Sequence, residues 1–316
     1  MFNKFSTKSL IITFAALLII VAAFLIKDSL QGERSFPSSI ISLDTSKVTA
    51  INLYPKSLNH REVRIFKDGN EWKVQLPNDN NTAKVPLSKV QQLLSQILSI
   101  KPVSVAAESA SKWKDFQVDT AGTRVKVFEG SDDVLDLTIG KFAYRQPQSM
   151  STYIRVNDDK NVYLTNGFLD MTFNHDADYF RDNTVINDDY NNWYKLTFTY
   201  PADSSFQLIR KNNSWLINGK QTDSSAAVNY LRSISNISQY FYIDNPSQQQ
   251  LQKAKYTLSI QSNALGLINV FAYGDTSSII INSSQNRDSY FDGKKENFWQ
   301  RIFVGKGHFF TSKRKK

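Results

Sequence analysis

Residues 48–54, VTAINLY, carry the alternation of a half-buried strand and end at Tyr54-Pro55. Glu62–Phe66 supplies a second strand that runs on to the turn Asp68-Gly69-Asn70, and Trp72 opens a third within EWKVQ. An Asp-Gly step tolerates the positive φ of a tight turn, so these two runs read as a hairpin. From Pro86 to Ile100, the residues Val90, Leu93, Leu94, Ile97 and Leu98 recur at helical spacing. Pro86 suits the first turn, where its missing N–H is not needed.

The second half of the chain repeats this order. Trp193–Tyr200, WYKLTFTY, is a strand that also ends in Tyr-Pro, at Tyr200-Pro201. Phe206–Arg210 leads into the polar turn Lys211-Asn212-Asn213, and Trp215 opens the next strand. A helix is expected from about Asp223, with Ala227, Leu231, Ile234 and Ser238 on one face. The two Tyr-Pro steps lie 146 residues apart and Trp72 and Trp215 lie 143 apart, which predicts an internal repeat. As equivalent hairpin residues, the two tryptophans read as core anchors rather than as a ligand platform.

After each helix the pattern returns to strands. The first set is Arg124–Phe128, Leu135–Ile139, Thr152–Val156 and Asn161–Leu164; the second is Thr257–Gln261, Leu267–Tyr273 and Ser277–Asn282. Phe168–Phe173 and Glu296–Phe303 are expected as matching terminal helices. Strands joined by short turns, with one main helix per set, predict an α+β fold of duplicated, mainly antiparallel sheet units. The expected organisation is a cytoplasmic start and anchor over 1–28, a linker over 29–40, and α+β repeats over 41–185 and 186–305. A basic tail over 306–316 completes it.

Ser9–Ile26, SLIITFAALLIIVAAFLI, contains no charge. Its 18 residues would span about 27 Å as a helix, enough for the hydrocarbon core of a bilayer. A cleaved signal peptide has a shorter apolar stretch, about 7–15 residues, closed by a small-x-small site. Here Ala22 and Ala23 run directly into Phe24, Leu25 and Ile26, so an uncleaved anchor is expected. Lys4 and Lys8 precede it and Lys27 and Arg34 follow it, so counting flanking cations does not decide orientation. The short N-terminal side and the long C-terminal side predict N-in, C-out.

The net charge of +9 would suggest nucleic acid were it spread over the body. Three lysines flank the apolar segment and five cations fall within 306–316. Setting those eight and Asp28 aside leaves 30 of the 38 cations and 28 of the 29 acids. That is an ordinary solvated surface, and no nucleic-acid partner is expected. There is no cysteine, which excludes disulfides, thiolate metal ligands and a cysteine nucleophile. At 13% aromatic residues the chain has enough large side chains for a sizeable core.

Gly140-Lys141 is followed by Phe142 and lacks the earlier glycine of a phosphate-binding loop, and the GxGxxG, GxSxG and HExxH patterns are absent. His60, His175 and His308 are the three histidines. His175 with Asp176, Asp178 and Asp182 is the best metal candidate, but it reads more simply as a polar turn. The pairs Asp132-Asp133, Asp158-Asp159 and Asp188-Asp189 are expected in solvated turns. No catalytic residue, cofactor or metal ligand is assigned.

LDTSKVTAINLY (43–54), the EWKV hairpin and VQQLLSQILSIKPVSV (90–105) resemble the bacterial domain-of-unknown-function family 4340, as does YFRDNTVI (179–186) before the second tryptophan hairpin. The likeness spans most of 40–245 and weakens after Tyr256. The resemblance implies an envelope protein without catalytic residues to transfer, often encoded near ABC-type transport or gliding-motility components. The expected function is then a non-catalytic, single-pass accessory protein of the bacterial cytoplasmic membrane with its body on the outer side. Its partner would be an integral membrane complex such as an ABC-type permease, and the bilayer would hold Ser9–Ile26. An envelope carbohydrate- or peptidoglycan-binding module is the alternative. An envelope hydrolase using His175, Asp176 and Asp178 is the third reading.

Overall fold

The computed structural model describes residues 14–21, 36–77, 81–145, 149–275 and 277–310. It is α+β, built on large antiparallel sheets with a few helices. The chain divides into two compact units that interleave in sequence: residues 1–62 with 92–175, and residues 63–91 with 176–316. Strands are numbered in chain order.

In the first unit the strands are β1 (Ala50–Tyr54), β5 (Pro102–Ala107), β6 (Thr123–Glu129), β7 (Asp132–Arg145), β8 (Ser149–Val156) and β9 (Val162–Asn166). They pair antiparallel in the order β1-β6-β7-β8-β9-β5. Ile51, Leu53, Val125, Val127, Leu137, Ile139, Ile154 and Leu164 are buried. The half-buried alternation read from VTAINLY is corrected: β1 is buried at every residue from Ala50 to Leu53, Asn52 included. One irregularity shapes this sheet. Ile139 pairs with Ile154 but the next partners are Phe142 and Thr152, so three steps on β7 face two on β8. This bulge returns Phe142 to the face that carries Ile139, where an unbroken pleat would have turned it away. The bulge needs Gly140, because a Cβ there would overlap the Phe116 carbonyl oxygen and the Val118 side chain.

In the second unit, β2 (Val63–Asp68), β3 (Glu71–Gln75) and β4 (Thr82–Val85) form a meander. Gly69 at φ +59° makes its tight turn. A second sheet contains β11 (Trp193–Thr199), β12 (Phe206–Lys211), β13 (Ser214–Ile217), β14 (Lys220–Gln221), β16 (Tyr256–Ser262), β17 (Gly266–Gly274), β18 (Ile279–Ser283) and β19 (Asn286–Asp292). Its order is β14-β13-β12-β11-β16-β17-β18-β19. The β12–β13 turn puts both Asn212 (φ 47°) and Asn213 (φ 62°) in the left-handed region, where asparagine is the best tolerated side chain after glycine. A separate pair joins β10 (Thr184–Asn187) to β15 (Asn236–Ser238).

Pairings recur between the two sets of strands. β1 pairs with β6 as β11 pairs with β16, and β6-β7-β8-β9 is matched by β16-β17-β18-β19. The β2-β3-β4 meander is matched by β12-β13-β14. Trp72 and Trp215 hold the same place in their hairpins, and both are buried. The sets differ where β5 joins β9 while β15 joins β10.

Each set has its helix. Leu87–Ser99 buries Val90, Leu93, Leu94 and Ile97, and Ser224–Ser235 buries Ala227, Tyr230, Leu231 and Ile234. The Asp223 carboxylate accepts the Ala226 N–H at 3.0 Å and fixes the start of the second helix. This helix stops at Ser235, so the expected continuation to Ser238 is corrected: residues 236–238 leave helical geometry at Asn236 and pair with β10. The terminal helices are shorter than expected, at Asp170–Phe173 and Phe298–Ile302. Asn297, in the left-handed region at φ 54°, marks the start of the latter.

Most of the expected anchor, Ser9–Ile26, lies outside the described residues, as does residue 311 onward. Residues 14–21 are helical and every one of them is exposed. Among the described residues no helix is long and apolar enough to cross a membrane.

Two predictions follow from the packing. Gly140→Ala is expected to destabilise the chain by about 1–3 kcal/mol, the usual range for forcing atoms into a packed site, seen as a lower urea midpoint. The second concerns three phenols of the second unit, Tyr200, Tyr230 and Tyr242, all held above the ordinary tyrosine range chiefly by burial. The unfolded chain therefore ionises first as pH rises. Stability should be intact below pH about 10 and fall above it by about 1.4 kcal/mol per pH unit for each phenol. Urea titrations at rising pH would reveal that slope, and Tyr230→Phe should remove one phenol's share of it.

Candidate functional site

YFRDNTVI (179–186) crosses the second unit between a helical turn and β10. Asp176 caps that turn, Ala177–Phe180, by accepting the Tyr179 N–H at 3.1 Å. The chain then turns extended at Arg181, whose side chain is only 2% exposed. Its Nη1 donates to Asp178 Oδ1 at 3.0 Å and to Asp244 Oδ1 at 2.8 Å. Its Cζ stands 3.8 Å from the centre of the Tyr242 ring, a close cation–π contact. The Nε of Arg181 and the hydroxyl of Tyr242 are both buried and have no hydrogen-bond partner among the described residues.

The surrounding backbone is tied down as thoroughly. The Lys89 ammonium donates to the carbonyls of Tyr179 and Arg181 at 2.7 and 2.9 Å, and burial holds its pKa below the usual lysine range. Asp182 N–H donates to Lys84 O at 2.8 Å, which fastens the motif to β4. Asn286 Nδ2 donates to the carbonyls of Asp182 and Thr184 at 2.8 and 3.2 Å, and Ser283 Oγ donates to Val185 O at 2.5 Å. The motif is thus bonded to strands on either side.

Arg181 forms part of the wall of a cleft of about 590 Å³ in this unit, lined by residues of β3, β4 and β19 and by the segment 243–246. Lys73, Lys84, Arg287, Asp288, Asn245 and Tyr290 also line it. The charges are mixed: Lys73 pairs with Asp68 at 2.7 Å and Lys84 with Glu71 at 3.4 Å. Such a wall presents donors and acceptors in near balance, which suits a polar, weakly charged ligand better than a polyanion. The buried guanidinium gives it one fixed point.

The candidates read from the sequence have other duties. His175 Nε2 lies 2.6 Å from Met171 O. Asp176 is the cap described above, Asp178 holds Arg181, and Asp182 Oδ1 accepts the Thr184 N–H at 3.0 Å. Among the described residues no group of three or more His, Asp or Glu side chains could hold a metal ion. His308 packs against the rings of Tyr230 and Phe309. Asp133 pairs with Lys126, and Asp159 accepts from the Tyr163 hydroxyl at 2.5 Å. The expectation for Asp188 is corrected: it is buried and accepts the indole N–H of the buried Trp193 at 2.7 Å, so it is a structural partner rather than a solvated turn acid.

Sequence spacing did not single out Arg181, Tyr242 or Asp244. The motif around Arg181 was legible as a family likeness, but its partners 61 and 63 residues onward carry no local pattern.

A family model described as a domain of unknown function (DUF4340) matches residues 72–259, more than half of the chain. The chain belongs to this family. No curated protein and no solved structure matches it. The DUF4340 match opens at Trp72 rather than near residue 40, and it includes Arg181, Tyr242 and Asp244.

The two sides of the Arg181 cluster should respond unequally to substitution. Asp178 and Asp244 are about half exposed, so Arg181→Met leaves two acids that water can solvate, at a cost of about 1 kcal/mol or less. The double variant Asp178→Asn with Asp244→Asn strands a buried cation and should cost about 3 kcal/mol. Urea unfolding of both variants checks the order, and a larger loss in Arg181→Met would refute this account.

Proposed function

We propose that this DUF4340 protein is a membrane-tethered, non-catalytic accessory protein. Ser9–Ile26 is the tether, in a bacterial cytoplasmic membrane, with the N-terminus inside and the body outside. The body is two copies of one plan, strand, hairpin, helix and meander, and it works by contact with an integral membrane complex of ABC-transport or gliding type. The observation that carries the reading is the helical stretch 14–21, FAALLIIV, in which every side chain is exposed. Apolar surface of that extent is unfavourable in water at about 25 cal/mol per Å², whereas a lipid environment removes the penalty. The resemblance read in the sequence, to envelope proteins encoded beside transport components, supports the partner class.

Two measurements test this reading. The full chain should stay with the membrane pellet through alkaline carbonate extraction, and a chain lacking residues 1–28 should be released. Mild-detergent purification from native membranes, read by mass spectrometry, should recover a permease or its ATPase. Recovery of the chain alone would overturn the accessory role.

The cleft beside Arg181 favours one further reading, a binding module for envelope glycan. Its mixed donors and acceptors match what neutral or zwitterionic sugars offer. Titration with soluble peptidoglycan fragments, followed by tryptophan fluorescence, should then saturate in the native chain and fail in Arg287→Ala.

A further inference from the structure

The two sets of strands differ in the connection that leads into the matched strands β6 and β16. Before β6, residues 108–122 carry two helical turns, Ala110–Lys112 and Trp113–Phe116, and bury Val118. Before β16, residues 239–255 hold no helix and no strand, only an isolated bridge at Tyr242. From Tyr240 to Lys255 no residue is buried. Connections of more than about 12–15 residues without structure of their own are uncommon in compact domains, and most are lids, binding loops or disordered linkers. This one has 17. So few buried contacts place a segment at the low end of local stability.

The segment nevertheless covers something. Its first half lies along the outer edge of β19, where Ile243 N–H donates to Tyr290 O and Asp292 N–H to Phe241 O, both at 2.8 Å. These two bonds flank the bridge of Tyr242 to Phe291. Ile243, Asp244, Asn245, Pro246 and Leu251 form one wall of the Arg181 cleft. Asp244 Oδ1 accepts from Arg181 Nη1, and the Tyr242 ring lies against the guanidinium, so the Arg181 side chain is almost wholly covered. Asn81, just before β4, donates from Nδ2 to Asn245 Oδ1 at 2.5 Å. The closed arrangement leaves polar atoms unsatisfied. Gln239 Nε2, the Tyr242 hydroxyl and Arg181 Nε are all buried with no hydrogen-bond partner among the described residues. Each carries a desolvation penalty that contact with water relieves once the segment lifts.

We propose that residues 239–255 are a lid on the Arg181 cleft, latched by Asp244 on the guanidinium, and that its release presents Arg181 to an acidic group of a ligand. Asp178 also accepts from Arg181 Nη1, so the cation keeps one partner when Asp244 leaves and the other position opens. That position is already built to hold a carboxylate oxygen at 2.8 Å, and a ligand carboxylate is the group that replaces it in kind. The charges of the cleft are in near balance with Asp244 in place, so its departure makes room for one negative charge. The ligand rests on the glycan reading above, narrowed to glycans that carry a carboxylate. The motion itself needs no ligand, and the two are tested apart.

Opening is measured on the full-length protein in mild detergent by hydrogen exchange resolved to single amides. Phenylglyoxal, which modifies guanidinium groups that reach solvent, gives a second readout, with exposed Arg61 as the reference. The amides of Ile243 and Asp292 are expected to exchange together, at a rate that low urea leaves unchanged and on the order of a hundredfold faster than those of β11. Arg181 should be modified under the same native conditions. Asp244→Asn weakens the latch and should speed both processes about fivefold. Tyr242→Phe keeps the ring but removes the unpaired hydroxyl, and should slow both about fivefold. Exchange at Ile243 and Asp292 no faster than in β11, or modification of Arg181 only once urea unfolds the chain, overturns the lid. Equal rates in Asp244→Asn and the native chain overturn Asp244 as its latch. Soluble peptidoglycan fragments should protect Arg181 from phenylglyoxal, and the same fragments with amidated carboxyl groups should not. Equal protection by both overturns the acidic ligand. Protection by neither, with opening as expected, refutes the glycan reading and leaves the lid standing.

Discussion

The pairing of the first strand of each set with the second strand after the helix is the constraint on which the rest depends. In the second unit β11 meets β16 through Leu196↔Ile260 and Phe198↔Leu258. Everything between, the β12-β13-β14 hairpins and the helix Ser224–Ser235, is held in a loop closed by that ladder. β12 to β14 grow from one edge of the closing pair and β17 to β19 from the other. Closing a loop of this length costs chain entropy before any of the flanking contacts form. The ladder is affordable because it is apolar: Leu196, Phe198, Leu258 and Ile260 are fully buried, and Phe206 stacks on Phe198 with ring centres 4.4 Å apart. The pairing of β1 with β6 follows the same logic, with Ile51 against Val127 and Leu53 against Val125.

What the sequence made legible follows from how far each interaction reaches. Hairpins around Trp72 and Trp215 are decided within a few residues by a glycine or asparagine turn and an alternating flank, so their reading survives intact. Helices with four apolar positions at regular spacing do as well. β19, NRDSYFD, has few apolar residues in its own sequence, and its strand state comes from β18 beside it rather than from propensity. Residues 236–238 continue the apolar spacing of the helix before them, yet β10 draws Ile237 into a pair with Ile186. In both places tertiary pairing overrides the local pattern.

The Arg181 cluster was illegible for the same reason. A buried guanidinium is specified by where its carboxylates and its aromatic neighbour arrive, and Tyr242 and Asp244 arrive from a segment with no periodicity. Asp188 teaches the converse lesson. Its neighbour Asp189 is an ordinary turn acid that caps Asn191 at 2.8 Å, while Asp188 one residue earlier is committed to an indole N–H in the core. Adjacent identical residues take opposite roles because the backbone turns one inward, which composition alone does not reveal.

The bulge at Gly140 and Lys141 works as a parity switch for everything beyond it. Side chains alternate across a strand, so one residue more or fewer at this point exchanges the two faces of the hairpin tip while Ile139 and the strands below keep their places. A single insertion or deletion would present Ala143 where Phe142 and Tyr144 now stand and send the aromatic side chains to the opposite side. Such a change could redirect an entire surface in one genetic step, without the core registering the difference.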